Sequence, residues 1–250
     1  MIRITDLHHR LGGAPVLNDI DLTIPHGGLT ALIGPNGAGK STLLSLIARL
    51  RPIQRGRISV GPHEIGKVAD RDLARVLAVM PQSTEVSARL RLAELVGFGR
   101  YPWHRGRPGA EDRAQVDRAL ERFSLTDLRD RFLDEVSGGQ KQRAFAAMAY
   151  AQDTDYLLLD EPLNNLDIAA ARDLMRLMRG LADEDGKTVV VVLHDINYAT
   201  AFADRLVVMK EGRIAAQGAP SEVVTDTLLA EVFGTTARVA EVEGRPLVIV

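Results

Sequence analysis

An α/β fold with a mainly parallel sheet is predicted by three features of the sequence. The apolar residues 29–33 lead into the glycine-rich stretch 34–39, and leucines at helical spacing follow it. Apolar, β-prone segments then alternate with helix-like segments toward the C-terminus. Strands that alternate with helices form parallel sheets covered by helices. The 250 residues are enough for one such domain with a substantial core.

The N-terminal part predicts antiparallel β-structure that runs into the α/β core. Residues 2–7 and 16–24 are predicted strands around a turn at Gly12 and Gly13. The segments that follow, up to the Pro81-Gln82 break, are a strand at 29–33, a helix to about 50, a strand at 57–60, a helix at 70–75 and a strand at 76–80.

From about Ser83 the strand patterns disappear. Residues 90–97 and 111–123 have helical spacing, and Thr126 is placed to cap a short turn. Residues 99–108 predict a polar loop, because Gly and Pro interrupt them; the loop carries Tyr101 and Trp103. We therefore expect an all-helical insert at about 83–152, between core parts at 1–82 and 153–250.

The second part of the core predicts further strands and helices. They are a helix after Ser137, strands at 155–160, 188–193 and 206–209, helices at 168–181 and after Asp195, a hairpin from Glu211-Gly212 to 214–217, a mostly helical segment at 222–233 and a final strand at 247–250.

Composition excludes several classes of function. There is no cysteine, so disulfides and thiolate metal sites are excluded. The net charge is −2, and no nucleic-acid partner is expected. The N-terminal residues lack the apolar core of a secretory signal. The longest aliphatic runs fall far short of the roughly 20 residues that span a bilayer, so a membrane role would require a partner.

One stretch matches the phosphate-loop pattern G-x-x-x-x-G-K-[ST] without a mismatch. A glycine-rich turn can point several N–H groups at one anion, and the helix N-terminus adds partial positive charge there. Lys40 can reach the β- and γ-phosphates, and the Ser41 hydroxyl can bind Mg²⁺. A turn that binds nothing is the alternative, which the flanking strand and helix disfavour. The candidate nucleotide-binding residues are Gly34, Pro35, Asn36, Gly37, Ala38, Gly39, Lys40, Ser41 and Thr42.

Two carboxylates, Asp160 and Glu161, follow the apolar strand at 155–160. Ligands of open α/β sheets bind at the carboxyl edge of the strands. Asp160 can orient Mg²⁺ or its water, and Glu161 can accept a proton from an attacking water. The alternative is a strand that ends in two solvated acids, and the upstream phosphate loop makes this the less favoured interpretation.

Three further signals are weaker. The run Ser137-Gly138-Gly139-Gln140 precedes a helix, and it is either a second anion-binding helix N-terminus or a plain serine cap. His194 follows a buried strand and could contact a γ-phosphate, although such a histidine is more often a plain polar residue. Gln82, at the entry to the helical insert, could bind Mg²⁺ or hold a water.

Together, and in this order along the chain, these motifs resemble the ATP-binding subunit of an ABC transporter. The resemblance implies a P-loop NTPase fold of the ABC type, and a head-to-tail homodimer that holds two ATP molecules between its subunits. It implies that Glu161 is the general base, that His194 holds the γ-phosphate, and that Gln82 contacts Mg²⁺ and links to a helical arm. Asp167 would cross the dimer interface. The signature residues Ser137, Gly138, Gly139 and Gln140 would complete the site of the other subunit.

Finer features are similar to the ferric-siderophore import branch, of the petrobactin and catechol type. They lie at 96–103, 159–167 and 193–198. Importers of haem, vitamin B12 and other metal chelates share much of this pattern. Leu11 and Val16 are expected beside the adenine; Leu11 stands where the family usually has a tyrosine and offers apolar contact without ring stacking. The signature opens with Val136 in place of leucine, which should have little effect.

The function expected from the resemblance is ATP hydrolysis that powers import of a ferric siderophore. The expected partners are a second copy, integral-membrane permease subunits and, indirectly, a substrate-binding lipoprotein. The expected place is the cytoplasmic face of the bacterial inner membrane. A non-transport ABC ATPase is the rival, but the chain has one phosphate loop and no sustained heptad pattern. An exporter ATPase is disfavoured by the siderophore-like motifs.

Overall fold

The computed structural model describes residues 1–82, 89–104 and 106–250. Its strands are β1 (Ile2–Leu11), β2 (Ala14–Ile24), β3 (Gly28–Ile33), β4 (Arg55–Val60), β5 (His63–Glu64), β6 (Leu77–Met80), β7 (Tyr156–Asp160), β8 (Thr188–Val192), β9 (Arg205–Lys210), β10 (Arg213–Gly218), β11 (Arg238–Val242) and β12 (Arg245–Ile249). Its helices are α1 (Lys40–Ile47), α2 (Asp70–Leu73), α3 (Leu92–Phe98), α4 (Tyr101–His104), α5 (Ala110–Arg122), α6 (Gly138–Ala151), α7 (Ile168–Asp183), α8 (Ile196–Phe202), α9 (Pro220–Val223) and α10 (Asp226–Phe233).

The main sheet has six strands in the order β10-β9-β3-β8-β7-β6. Strands β9, β3, β8, β7 and β6 pair in parallel, and only the edge strand β10 is antiparallel to its neighbour. Every residue of β8 is buried, as expected for a parallel strand covered on both faces. The prediction of an α/β fold is confirmed.

Two apolar layers cover this sheet. On one face Leu29, Ala31 and Ile33 pack with the helices, among them α3, α5, α6 and α7. On the other face Leu32 packs with α1 and with a second, antiparallel sheet of order β2-β1-β4-β5. The phosphate-loop strand β3 therefore lies at the centre of the molecule, which holds the loop that follows it on a rigid base.

Strand β1 continues to Leu11, beyond the predicted end at residue 7. The register shifts between Ile4 and Leu7, where Asp6 has a φ of 47°. This β-bulge moves the inward-facing positions by one residue, from Ile2 and Ile4 to Leu7 and His9. The break in alternation hid the second half of the strand from pattern reading.

Between β6 and β7, the described residues form helices, a short 3-10 turn at Thr126–Leu128 and one isolated bridge between Arg91 and Phe132. The expectation of an irregular loop at 99–108 is wrong in part, because Tyr101–His104 is a helix. The Trp103 indole N–H donates to the Gln152 carbonyl at 2.7 Å. Trp103 therefore binds the short helix to the end of α6. The predicted start of the helical insert at Ser83 lies outside the described residues.

A buried ion pair orders the same region. The Arg100 guanidinium is buried and donates to Asp112 Oδ1 at 3.1 Å and to the Ala151 carbonyl at 3.0 Å. Its cation also lies 5.1 Å from the centre of the Trp103 ring. Arg100 thus joins α4, α5 and α6 into one unit.

The C-terminal region differs from the sequence-based expectation in two ways. The segment predicted to be mostly helical, 222–233, is divided between α9 and α10, because Thr225 caps α10 by accepting from Leu228 N–H at 3.1 Å. The predicted final strand is one arm of the hairpin β11–β12. Among the helices of the described ranges, none is long and apolar enough to span a bilayer.

Candidate active site

The phosphate loop is shaped by glycines that no other residue can replace. Gly34 has a φ of 146°, and a Cβ there would lie 2.1 Å from the Met209 carbonyl oxygen of β9. Gly39 has a φ of 99°, and its Cβ would lie 3.1 Å from the Val16 carbonyl oxygen. Both positions need a backbone that only glycine adopts easily, and neither has room for a side chain. The loop is therefore packed directly against β2 and β9.

Lys40 lies inside this loop. Its side chain is buried, and its ammonium donates to the carbonyls of Gly34 at 2.8 Å and Pro35 at 3.0 Å. Burial lowers the pKa of Lys40, and the charges of Glu161 and Asp160 oppose that shift. The loop carbonyls hold the cation where the first N–H groups of α1 emerge, and those groups have no partner within the helix. This combination suits a polyphosphate anion.

Ser41 and Asp160 meet although they are far apart in the sequence. The Ser41 hydroxyl donates to Asp160 Oδ1 at 2.8 Å. Burial is the largest effect on Asp160 and raises its pKa, while the bond from Ser41 and the charge of Lys40 oppose the shift. A buried carboxylate beside a hydroxyl offers the oxygen ligands that Mg²⁺ prefers, and a bound cation would offset the cost of burying the charge. The two residues therefore fit a Mg²⁺ site.

Glu161 accepts hydrogen bonds from three side chains. Its side chain is 8% exposed. Its Oε2 accepts from the Gln82 amide at 2.6 Å and from the Asn164 amide at 2.7 Å, and its Oε1 lies 2.8 Å from His194 Nε2. Burial alone would raise its pKa, but these bonds and the charge of His194 outweigh burial and lower the pKa. Glu161 is thus held as a carboxylate.

The sheet brings these groups together. Gln82 follows β6, Glu161 follows β7, and His194 follows β8; these three strands are neighbours. The carboxyl ends of parallel strands lie at one edge, where ligands of such sheets bind. Glu161 has a φ of 53°, a conformation that non-glycine residues adopt at a cost of about 1–2 kcal/mol. That unusual backbone turns the chain sharply just after Asp160, and strain of this kind is concentrated at functional sites.

Asn164 is a site residue that the sequence reasoning missed. Its backbone N–H donates to the Glu161 carbonyl at 3.3 Å, which closes a tight turn, and its amide reaches back to the Glu161 carboxylate. The signal was present, because an asparagine three residues after a candidate base in a turn can return to it.

The signature residues form a separate hollow. Ser137 caps α6: its hydroxyl accepts from Gln140 N–H at 3.2 Å, and Gln140 Oε1 accepts from Ser137 N–H at 2.9 Å. Gly139 packs closely on α7, since a Cβ there would lie 3.1 Å from the Ala170 Cβ. The hollow lies between this helix start and the turn at 165–167, and the described part of the phosphate loop contributes nothing to its lining. The capping role is visible; the anion-binding role stays a prediction.

Asp167 shapes the turn beside that hollow. Its Oδ1 accepts from the Ala170 N–H at 2.8 Å, which caps α7. The next residue, Ile168, is among the most exposed apolar side chains that the structure describes. The neighbouring Leu166 lines both this hollow and the one that contains Glu161 and His194. One short turn therefore borders both halves of the candidate site.

The residues expected beside the adenine have mixed surroundings. Leu11 and Val16 are half-buried near the β1–β2 turn. The Arg10 guanidinium donates to the Gly13 carbonyl, with Nε at 2.8 Å. The ring of His9 is buried, and burial lowers its pKa. His9 is therefore neutral and is not free to stack on a base, which leaves Leu11 and Val16 as the apolar candidates.

Comparison with known proteins identifies the family. A family model described as "ABC transporter" matches residues 17–164. The chain is 42% identical to the petrobactin import ATP-binding protein YclP of Bacillus subtilis, over 98% of this chain and 97% of that protein. It is 38% identical to the ferric enterobactin transport ATP-binding protein FepC of Escherichia coli, over 95% of this chain and 89% of that protein.

Solved structures agree with the fold. The dimeric ATP-binding cassette MJ0796 bound to ADP and Pi matches with a TM-score of 0.77 and 28% identity, over 88% of this chain and 98% of that one. CbiO1 of Clostridium perfringens, described as part of the ABC transporter complex cbiONQ, matches with a TM-score of 0.80 and 30% identity, over 89% of each chain. The resemblance stated from the motifs is confirmed: the chain belongs to the ABC transporter family and is an ATP-hydrolysing, ATP-binding subunit.

Proposed function

We propose that this chain powers the import of a ferric siderophore. The observation that carries the proposal is the match over nearly the full length with importer subunits, among them three whose names specify petrobactin. A relative named for iron(3+)-hydroxamate import is 37% identical and agrees with a siderophore substrate, whereas one named for hemin import is 40% identical and defines the alternative. The substrate would be chosen by the permease and by an extracytoplasmic binding lipoprotein, and this subunit would lie at the cytoplasmic face of the inner membrane.

Within the site, we assign the hydrolytic chemistry to Glu161. Each carboxylate oxygen accepts about two hydrogen bonds. Two donors already occupy Oε2, while Oε1 has only His194 among its partners in the described residues. Oε1 is therefore the atom that can accept a bond from the attacking water. The water oxygen forms a bond to the γ-phosphorus, the bond to the β–γ bridging oxygen breaks, and the water proton passes to Glu161, leaving ADP and phosphate.

A base with a lowered pKa suits this reaction. Phosphoryl transfer proceeds through a loose transition state, in which positioning of the water matters more than strong proton abstraction. Lys40 and the loop N–H groups would stabilise the β- and γ-phosphates, and His194 would hold the γ-phosphate. Ser41 and Asp160, with Gln82, would hold Mg²⁺, which supplies charge neutralisation on the phosphates when it is bound.

We propose that the working unit is a head-to-tail homodimer. The hollow at Ser137 contains a helix N-terminus and is not lined by the phosphate loop of the same subunit, and the similar cassette MJ0796 is described as dimeric. A second copy would bring Ser137, Gly138, Gly139 and Gln140 over the ATP of the first, with Asp167 at the interface. Each subunit would then supply the phosphate loop of one ATP site and the signature residues of the other.

The helical region 90–151 is the proposed contact with the permease. An apolar groove of about 570 Å³ lies between α3 and α5, and it is lined in part by Leu90, Ala93, Val116 and Phe98. Phe98, which lines this groove, is 55% exposed, and Tyr101, in the helix that follows, is 61% exposed. Apolar side chains exposed together on a soluble domain are typical of an interaction site.

Uptake measurements test the substrate. Cells that lack this gene should lose import of one iron-loaded chelate, supplied in turn as a catecholate siderophore, a hydroxamate siderophore and haem. Restoring the wild-type gene should restore import, and a Glu161→Gln gene should not. If uptake of all three were unchanged in the deletion strain, or if only haem import were lost, siderophore import would be rejected.

Two variants test the dimeric site in the purified protein. Glu161→Gln should bind ATP, hydrolyse it at least about 100-fold more slowly and accumulate as an ATP-dependent dimer. Ser137→Arg should bind ATP as a monomer with near-normal affinity yet fail to hydrolyse it. Hydrolysis by Ser137→Arg at the wild-type rate would contradict the shared site.

A further inference from the structure

The motif at 193–198 contains Asn197, a residue that the chemistry above does not use. The Asn197 side chain binds the last strand of the molecule through both ends of its amide. Its Nδ2 donates to the Val248 carbonyl at 3.1 Å, and its Oδ1 accepts from the Val248 N–H at 2.8 Å. Asn197 thereby takes the place of a neighbouring strand along the free edge of β12.

Both outer edges of the hairpin accept or donate side-chain hydrogen bonds at one residue pair, Val239 and Val248. Val248 faces Val239 on β11, and the backbone groups of Val248 point away from that partner toward Asn197. On the other edge the Val239 N–H donates to Asp226 Oδ1 at 2.6 Å. The side chains of Val239 and Val248 pack against the main core. Isolated two-stranded hairpins are marginally stable, so these side-chain bonds account for the ordered position of this one.

The helix that carries Asn197 begins next to His194. Asp195 caps α8, since its Oδ1 accepts from the N–H groups of Asn197 at 2.7 Å and Tyr198 at 3.2 Å. The Tyr198 hydroxyl donates to the Ile168 carbonyl at 3.1 Å, just after the turn at 165–167. The first turn of α8 is therefore held by the C-terminal hairpin on one side and by the start of α7 on another.

We propose that Asn197 and the C-terminal hairpin are a positioning device for His194. The hairpin holds the first turn of α8, and that turn fixes the backbone from which His194 reaches Glu161. Asn197 is a positioning residue, since it contacts neither Glu161 nor the phosphate loop in the described structure. The inference rests on the proposed role of His194 in hydrolysis, and it adds a role for the last part of the chain.

Loss of the Asn197 contacts should slow turnover without weakening ATP binding. Asn197→Ala should lower kcat about five-fold, which corresponds to about 1 kcal/mol at 25 °C, while KM for ATP stays within about two-fold. Asn197→Asp should be intermediate, because its carboxylate still accepts from the Val248 N–H but cannot donate to the carbonyl.

The partner strand supplies a matched pair of variants. Val248→Pro removes the N–H that Asn197 accepts, and it spares the ladder because that N–H points to the strand's outer edge. Val248→Ala shortens the side chain but keeps the N–H. Because the Val248 carbonyl still accepts from Asn197, the proline variant should lower kcat to an intermediate level, as Asn197→Asp does. The alanine variant should lower it less, and Asn197→Ala with Val248→Pro should be no slower than Asn197→Ala alone.

The His194→Ala background separates positioning from stability. There Asn197→Ala should cause no further fall in kcat, whereas a role in stability alone would lower kcat in both backgrounds. Thermal melting of every variant shows which proteins are folded at the assay temperature. If folded Asn197→Ala kept the wild-type kcat while His194→Ala was slow, the positioning role would be refuted and the site assignment would stand. If His194→Ala itself turned over normally, the proposed role of His194 would fail, and the device with it.

Discussion

Replacing Asn164 should change the pH at which the enzyme loses activity in acid. Burial opposes the ionisation of Glu161, and the hydrogen bond from Asn164 is the largest of the effects that lower its pKa. Asn164→Ala removes that donor but leaves the bonds from Gln82 and His194 in place. The pKa of Glu161 should therefore rise. Because the carboxylate is the proposed active form of Glu161, the acid limb of kcat should move to higher pH.

The size of the shift follows from the bond that is lost. A hydrogen bond to a charged group is worth about 1.5–3 kcal/mol, and one pKa unit corresponds to about 1.4 kcal/mol. A water can replace part of the lost donor, so we expect a shift of about one unit. Asn164→Asp should shift the limb further, since it removes the donor and places a second carboxyl group 2.7 Å from Glu161 Oε2.

The assay is kcat at saturating ATP across the acid range, because the pH dependence of kcat reports groups in the enzyme–substrate complex. Gln217→Ala is the control, since Gln217 lies on β10, away from the site, and its exposed amide oxygen accepts from Arg205 of β9. Its profile should coincide with that of the wild type. An unchanged acid limb in both Asn164 variants would refute the assignment of Glu161 as the group that titrates.

Three other predictions concern binding, stability and coupling. Lys40→Ala should weaken ATP binding at least about ten-fold in a titration, because the cation proposed to bind the phosphates is lost. Asp112→Asn should lower the melting temperature, since it leaves the buried Arg100 charge unpaired, a change that typically costs about 3–5 kcal/mol. The pKa of Asp112 is lowered by its bonds from Gly109 and Arg100 despite burial. The stabilisation from ionised Asp112 is therefore present at neutral pH and is lost as the pH falls through that lowered pKa. The melting temperatures of the wild type and of Asp112→Asn should accordingly converge in acid. Gln82→Ala should keep the affinity for ATP within about two-fold of the wild type but uncouple hydrolysis from the permease. The measurement is kcat of the subunit alone and in complex with the permease; the difference between the two values should be lost in the variant.

The fold class could be predicted because its signals are local. Buried strands such as β3 and β8 are continuous apolar runs, and glycines mark the turn between β3 and α1. The missed elements depend on distant contacts. Helix α4 forms in a stretch broken by Gly and Pro because Trp103 binds Gln152. Strand β12 could be predicted alone, but its contact with Asn197, a residue far away in the sequence, could not.

The candidate site divides in the same way. The phosphate loop and the pair Asp160 and Glu161 are read from short motifs, because their chemistry requires neighbouring residues. Their partners cannot be read in that way: that Ser41 faces Asp160, or that His194 and Gln82 reach the same carboxylate, follows from the order of strands in the sheet. Asn164 lies between these cases, since a local turn returns it to Glu161.

The three donors to Glu161 come from three parts of the molecule that face different partners. Gln82 lies at the entry to the helical region, whose apolar groove is the proposed permease contact. Asn164 lies one residue before the turn at 165–167, which borders the signature hollow proposed to meet the second subunit. His194 precedes the helix held by the C-terminal hairpin. A displacement of any one of these parts would change the hydrogen bonds of the same carboxylate, and therefore its pKa and the position of the attacking water proposed to bind it. Glu161 would thus respond to the proposed permease and to the proposed second subunit without either of them touching the attacking water.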